Sequence, residues 1–205
     1  MTLAKIIPLA FVMIAGPQIL SAIFLATSES WRRDSAAFVA GAAISVTTVV
    51  TIAFLLGTGA SEKGASGNAL DIVFMVLLLA AGFHTFHTRK TSKPPKWMGK
   101  LETAQPKLAF RLGFLLLGVF PTDILTSFAV GGSLARHGDP WWHVLPFVAV
   151  VLLFVAAPAL LLVFLGERGQ RLLPKVRDWM NDNSWIVSEI VIGLFVLLTA
   201  NSLAG

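Results

Sequence analysis

Six stretches of this chain are long, apolar and nearly free of charge: Ile6 to Ser28, Ala36 to Leu56, Ala69 to Phe86, Leu108 to Leu134, Trp142 to Leu165 and Trp185 to Leu203. About 20 residues of helix cross ~30 Å of hydrocarbon. The pattern therefore predicts an all-α polytopic membrane protein with six transmembrane helices. Composition agrees: 56% of the 205 residues are hydrophobic, 13% are charged and the mean hydropathy is +0.78. Lys5 and the small residues near Ala26 give the first run some likeness to a secretory signal. It is too long for one, and Pro17 and Gln18 interrupt it, so it is expected to stay in the mature chain. With no Cys, disulfide scaffolds, thiolate metal sites and thiol redox relays are excluded.

Two of the runs carry a proline in the middle. Gly16-Pro17-Gln18-Ile19-Leu20-Ser21 and Phe120-Pro121-Thr122-Asp123-Ile124-Leu125-Thr126-Ser127 read as one element used twice. Proline lacks a backbone donor and clashes with the carbonyl one turn back, so each stretch should break or kink its helix near the bilayer midplane. Backbone groups freed at that depth are tolerated only inside protein or along a cavity. Paired breaks in corresponding halves point to a transport site.

Other markers recur in the same order. Phe54-Leu55-Leu56-Gly57 returns as Val163-Phe164-Leu165-Gly166, and Leu70-Asp71-Ile72-Val73 as Ser188-Glu189-Ile190-Val191. Three spans per repeat is an odd number, so the second half must be inverted. The expected organisation is a first three-helix repeat over 1–88, a basic interfacial loop over 89–107, and a second, inverted repeat over 108–205. Within that loop Trp97, Met98 and Leu101 alternate with Lys96 and Lys100, the pattern of a helix resting on anionic lipid.

Loop charge sets the orientation. The loops after the first, third and fifth spans and the residues flanking them hold thirteen of the sixteen basic residues, among them Arg32, Arg33, Lys107, Arg111, Arg168, Arg171, Lys175 and Arg177. Only Lys5, Lys63 and Arg136 fall on the other face. This is a topology signal rather than a nucleic-acid one, and it places both termini outside the cytoplasm in a multi-pass plasma-membrane protein.

Polar residues inside spans are costly and mark function by default. Asp71 and Glu189 sit near the starts of their spans, whereas Asp123 lies ~18 Å along the helix from Arg111, near the midplane. With Pro121 at the first position of a half-helix, Asp123 falls at the third, where a carboxylate offsets the positive end of the helix dipole. A carboxyl at that depth is also a candidate proton carrier. The candidate substrate and coupling residues are Asp123, Pro121, Thr122, Thr126, Ser127, Pro17, Gln18 and Ser21. The plainer role for Gln18, Ser21, Thr126 and Ser127 is to re-satisfy backbone freed by the prolines. Ser45, Thr48 and Thr51 form a stripe on the second span that suits helix packing, and Pro158 is expected to kink the fifth. His84 and His87 share a helix face, but no acid or thiol nearby completes a metal site, so an interfacial role is expected.

Pro95-Lys96-Trp97-Met98, the stretch Ala109-Phe110-Arg111-Leu112-Gly113-Phe114-Leu115-Leu116 leading into Pro121, and Arg177-Asp178-Trp179-Met180 within Leu173 to Asn183 resemble the GAP family. These are the glycopeptidolipid-addressing-type proteins of the lysine-exporter (LysE) superfamily. The resemblance covers nearly the whole chain and implies an exporter or flippase that moves glycolipids or related amphiphiles outward. One departure is informative. Where the family tends to read Asn-Pro-Lys-Asn, this chain has Phe120-Pro121-Thr122-Asp123, and an ionised Asp123 would repel an anionic headgroup at close range.

The expectation is a secondary transporter of a lipid, glycolipid or small amphiphile, coupled to protons through Asp123. It is not an enzyme, has no ATP-binding motif and needs no cofactor. Its partners are membrane lipids and its substrate, and self-association is compatible with such a chain. A cation or metal-ion exporter and a non-transporting scaffold for lipid synthesis are the alternatives; the first usually gathers several deep ligands and the second has no need of broken spans.

Overall fold

The computed structural model describes residues 3–14, 16–59 and 105–183, with single helical positions at 186 and 193. Among these residues are seven α-helices, one short 3-10 helix and no strand. The first apolar run divides into α1 (Leu3–Ile14) and α2 (Pro17–Ala26), and the second is α3 (Trp31–Gly59). The fourth divides into α4 (Pro106–Gly118) and α5 (Pro121–Arg136). A 3-10 turn at Trp141–Val144 leads into α6 (Leu145–Leu165), and α7 (Glu167–Asp182) follows. Trp31–Gly57 and Trp141–Leu165 are long and apolar enough to cross a membrane, and α4 with α5, bent by 61° at their junction, makes a third candidate. The third apolar run and, apart from positions 186 and 193, the sixth, with Asp71, Glu189, His84, His87 and Lys93 to Lys100, lie outside the described residues.

Both proline stretches begin a helix rather than kink one. The residue before a proline is driven out of the helical region, and Phe120 is extended at φ −66°, ψ 132°, so α4 stops and α5 starts with Pro121 at its first position. At the first break the turn is carried by Gly16, whose φ of +139° belongs to a region open essentially to glycine alone.

Three boundaries differ from the apolar runs. α3 begins at Trp31, five residues before Ala36, because Asp34 in its first turn offsets the dipole and Arg32 and Arg33 stay exposed. At ~1.5 Å per residue its 29 residues reach about 43 Å, more than the hydrocarbon thickness. α4 begins at Pro106, with extended Gln105 ahead of it, so Lys107 belongs to a helix and not to the loop before it. The basic stretch after the fifth run is also helical. Gly166, at φ +51°, turns the chain out of α6, and α7 then buries Leu173 and Met180 while Arg168, Arg171 and Lys175 stay exposed.

The packing fixes directions. A Cβ on Gly41 would overlap the Phe110 carbonyl oxygen, and one on Gly113 the Phe38 carbonyl oxygen. Backbones of α3 and α4 therefore touch, the approach that small residues four apart permit inside membranes. Further along, Ser45 Oγ donates to Phe114 O at 2.7 Å, Gly131 sits against Val50, and Gly57 against Ala135. Residue numbers rise together, so α4 and α5 run parallel to α3. On the other side Phe11 of α1 meets Phe154 of α6 edge-to-face at 6.4 Å, and Ala26 and Trp31 close with Leu162 and Gln170 around one pocket. α1 and α2 thus run parallel to α6. These contacts gather Arg32 and Arg33, Lys107 and Arg111, and the basic residues of α7 at one end of the bundle. Gly57, Ala135 and the bond from Trp141 Nε1 to Thr51 Oγ1 (3.0 Å) lie at the opposite end. Of the Ser45, Thr48, Thr51 stripe, Ser45 and Thr51 reach other elements, whereas Thr48 is exposed and bonds back to Ile44 O in its own helix. Pro158 is buried within α6, which continues through it.

Candidate functional site

The centre of the bundle lies where α2 and α5 begin. α2 runs from Pro17 toward the basic end, and α5 runs from Pro121 toward the other. Their amino-terminal ends meet, and each carries roughly half a positive charge from its unpaired N–H groups. Neither has a side-chain cap on its first residue: Gly16 has no side chain to offer, and Phe120 makes no cap bond.

Into this junction the sequence places Gln18, second residue of α2, and Asp123, third residue of α5. Both are buried, at 2% and 0% exposure. Gln18 Nε2 donates to Asp123 Oδ2 at 2.9 Å, and the same nitrogen lies 3.5 Å from the carbonyl oxygen of Leu116, near the end of α4. One amide thereby ties the start of α2 to the start of α5 and to the last turn of α4. Among the described residues the side-chain oxygen of Gln18 has no hydrogen-bond partner, and it faces Gly16, where an added Cβ would sit 3.1 Å from it. Two amide orientations suit two states of the carboxyl. Nε2 donates to an ionised Asp123, and Oε1 would accept from a protonated one.

The other candidates divide. Pro17 and Pro121 set the two helix starts. Thr122 lies beside Asp123 on the first turn of α5. Ser21 is buried but turned to its own helix, donating to Pro17 O at 2.6 Å, which satisfies a carbonyl next to the break. Thr126 and Ser127, one turn beyond Asp123, are buried at 2% and 0% exposure. Ser127 Oγ has no hydrogen-bond partner among the described residues. A hydroxyl left so inside protein is costly unless something else fills its bond. Among the described residues no three His, Cys, Asp or Glu side chains come together as metal ligands would.

One buried acid has no place in the reading by apolar runs. Asp34 is wholly buried and accepts from Ser28 Oγ at 2.6 Å. It was excluded by drawing the second span from Ala36, and the signal for it is an acid directly after an Arg-Arg pair at the start of a long apolar helix.

No curated protein and no solved structure matches this chain. A sequence model of one family, described as Sap, sulfolipid-1-addressing protein, matches residues 6–204. That span takes in both proline junctions, the helix that joins them and the basic end, and the chain belongs to the sulfolipid-1-addressing protein family.

Proposed function

We propose that this protein is a secondary transporter, an exporter or flippase for a lipid, glycolipid or other small amphiphile, coupled to protons through Asp123. It has six membrane-spanning segments in two inverted three-helix repeats, an arrangement of the lysine-exporter type. The observation that carries this reading is the meeting of two half-helix starts at the Gln18–Asp123 bond, since broken helices whose amino-terminal ends face a common point near the midplane are how many secondary transporters build a site. The family's description supports a lipid-related role.

The directions of the helices support the span count. α3 and the α4–α5 pair run parallel although they are consecutive among the described segments. Parallel neighbours are what six spans in alternating order give for the second and the fourth. The basic end is the cytoplasmic one on charge grounds, which puts both termini outside.

The chemistry follows from the two positive helix ends. An ionised Asp123 occupies that focus itself, held by Gln18 and the dipoles of α2 and α5, and it repels an anionic headgroup. Protonation removes the charge, frees the helix ends for an anionic or hydroxyl-rich headgroup, and lets the two half-helices part. Ser127 and Thr126 supply hydroxyl contacts next to that place. The junction thus has two states, and both proton and substrate bias them, which is what coupling requires.

The test is a reconstituted system. Proteoliposomes holding the full chain and a headgroup-labelled anionic glycolipid should show accelerated movement of label between leaflets when a pH gradient is imposed. Cells lacking the gene should lose an outer-surface lipid. Equal rates with and without protein, and an unchanged lipid profile, would remove the transporter reading and favour a scaffold; altered metal tolerance instead would favour a cation exporter.

A further inference from the structure

Helix α7 has 16 residues, and the helical period sorts them into strips along its length. Gly169, Leu173, Val176 and Met180 point inward: a Cβ on Gly169 would lie 2.9 Å from Leu161 O, Leu173 and Met180 are buried, and Val176 packs against the core. Gln170, Pro174 and Arg177 face α2. The first two line the pocket shared with Thr27, Ser28 and Trp31, and the guanidinium of the third lies 5.2 Å from the centre of the Phe24 ring. Glu167, Arg171, Asp178 and Asp182 make an exposed strip of mixed sign. The remaining strip is Arg168, Leu172, Lys175 and Trp179, spaced at i, i+4, i+7 and i+11 and exposed throughout.

This last strip holds two cations, a leucine and an indole, and no acid. The nearest acids in sequence pair with other cations, Glu167 with Arg171 at 3.7 Å and Asp178 with Arg177 at 3.0 Å. We propose that the strip is a docking surface for anionic phospholipid. The helix rests along the membrane edge on it, with Leu172 and Trp179 set among the uppermost acyl carbons and Arg168 and Lys175 on lipid phosphates.

The place of the helix in the fold identifies the occupant. Gly166, at φ +51°, turns the chain out of α6, and the contact of Gly169 with Leu161 and Leu162 holds the start of α7 level with the last turns of α6. α6 belongs to a segment long and apolar enough to cross a membrane, and its last turn leaves Val163, Phe164 and Leu165 exposed. The strip therefore lies where hydrocarbon gives way to headgroups. An indole and a leucine beside arginine and lysine suit that boundary, because the apolar parts enter the chains while the charges reach phosphate. A strip with charge of one sign is complementary to anionic lipid, and the exposed Arg32 and Arg33 at the same end add to the attraction. On its other flank α7 borders a cavity of about 190 Å³ rather than closely packed side chains, so a hold from the lipid side bears directly on its position.

The surface does not depend on the transporter reading, and its test reads the position of α7 instead of transport. Single cysteines at positions 172, 179 and, on the mixed-charge strip, 178 are introduced into this Cys-free chain and given a nitroxide. The full chain is then studied by electron paramagnetic resonance in vesicles of phosphatidylcholine, alone or mixed with phosphatidylglycerol. With the anionic lipid present, labels at 172 and 179 should be reached by oxygen dissolved in the bilayer and shielded from a water-soluble nickel chelate, and the label at 178 should stay open to the chelate. Raised salt should abolish the shielding, as should Arg168→Gln combined with Lys175→Gln. Equal shielding in the two lipids would overturn the proposal, as would labels open to water in both. Spin–spin coupling that disappears on dilution with unlabelled protein would overturn it too, and would make the strip an interface between copies. Should the double variant fail to fold, the comparison of lipids in the otherwise unchanged labelled chain decides.

Discussion

Gln18 and Asp123 stand 105 positions apart in sequence and 2.9 Å apart in space, each within the first three residues of a helix that begins in the middle of the bundle. The bond is a polar contact between the two halves of the chain at the centre of the bundle. Asp123→Asn keeps the shape and part of the hydrogen bonding but not the charge. The variant should fold and insert, lose transport driven by a pH gradient, and retain exchange of substrate. Proteoliposomes with and without an imposed gradient measure both; wild-type rates with wild-type pH dependence would leave Asp123 as a helix cap.

Truncating the partner should weaken the fold itself. Gln18→Leu leaves a buried carboxyl short of a donor, at a cost of about 1–3 kcal/mol. Combined with Asp123→Asn, the two changes should couple by about 0.5–3 kcal/mol in a double-mutant cycle, measured by unfolding in detergent. Additive effects would mean that the bond is not formed in the membrane.

Gly16 holds the first junction open. Alanine there meets a φ of +139° and a Cβ position 3.1 Å from Gln18 Oε1. Gly16→Ala should cost about 1–3 kcal/mol in strain. It should also lower gradient-driven transport through displacement of Gln18, although residue 16 touches no substrate. Thermal unfolding and transport read the two effects separately.

The contact of α3 with α4 leaves no space for a side chain. Gly41→Leu and Gly113→Leu each force a backbone apart and should destabilise by at least the ~1–3 kcal/mol typical of overpacking. Ala40→Leu, on the exposed side of the same helix, should be neutral. Melting temperatures in one detergent compare the three.

The absence of Cys lets orientation be probed with single thiols. A cysteine at position 138, in the turn after α5, should react with a membrane-impermeant reagent in intact cells. One at position 171, on α7, should be protected until the cells are opened. The reverse pattern would invert the proposed topology.

The two junctions were legible in the sequence because proline constrains both its own residue and the one before it. The spacing from Pro121 to Asp123 gives the third position of a helix directly. What the sequence left hidden depends on tertiary contact. Nothing local distinguishes Gln18, which reaches the other half, from Ser21, which turns back on Pro17 O, because only the meeting of α2 and α5 decides which side chain points where. Gly16 was overshadowed by the proline next to it. Asp34 escaped notice because hydropathy ends a span where charge begins, whereas a helix continues as long as its first turn has an acid to offset the dipole and long basic side chains to reach water. Helix α7 was concealed for the same reason: its charges read as a loop, and its buried Leu173 and Met180 are too few to raise an apolar average.

The distance in sequence between Gln18 and its partner also bears on how the protein is made. At ~5–20 residues per second, the ribosome needs about 5–20 s to add the 105 residues that separate the amide from Asp123. Throughout that interval the first pair of helices holds a polar side chain and a broken backbone with nothing to receive them. The nascent first half should therefore linger in the aqueous insertion channel instead of partitioning early into lipid, and its release waits on the arrival of α5.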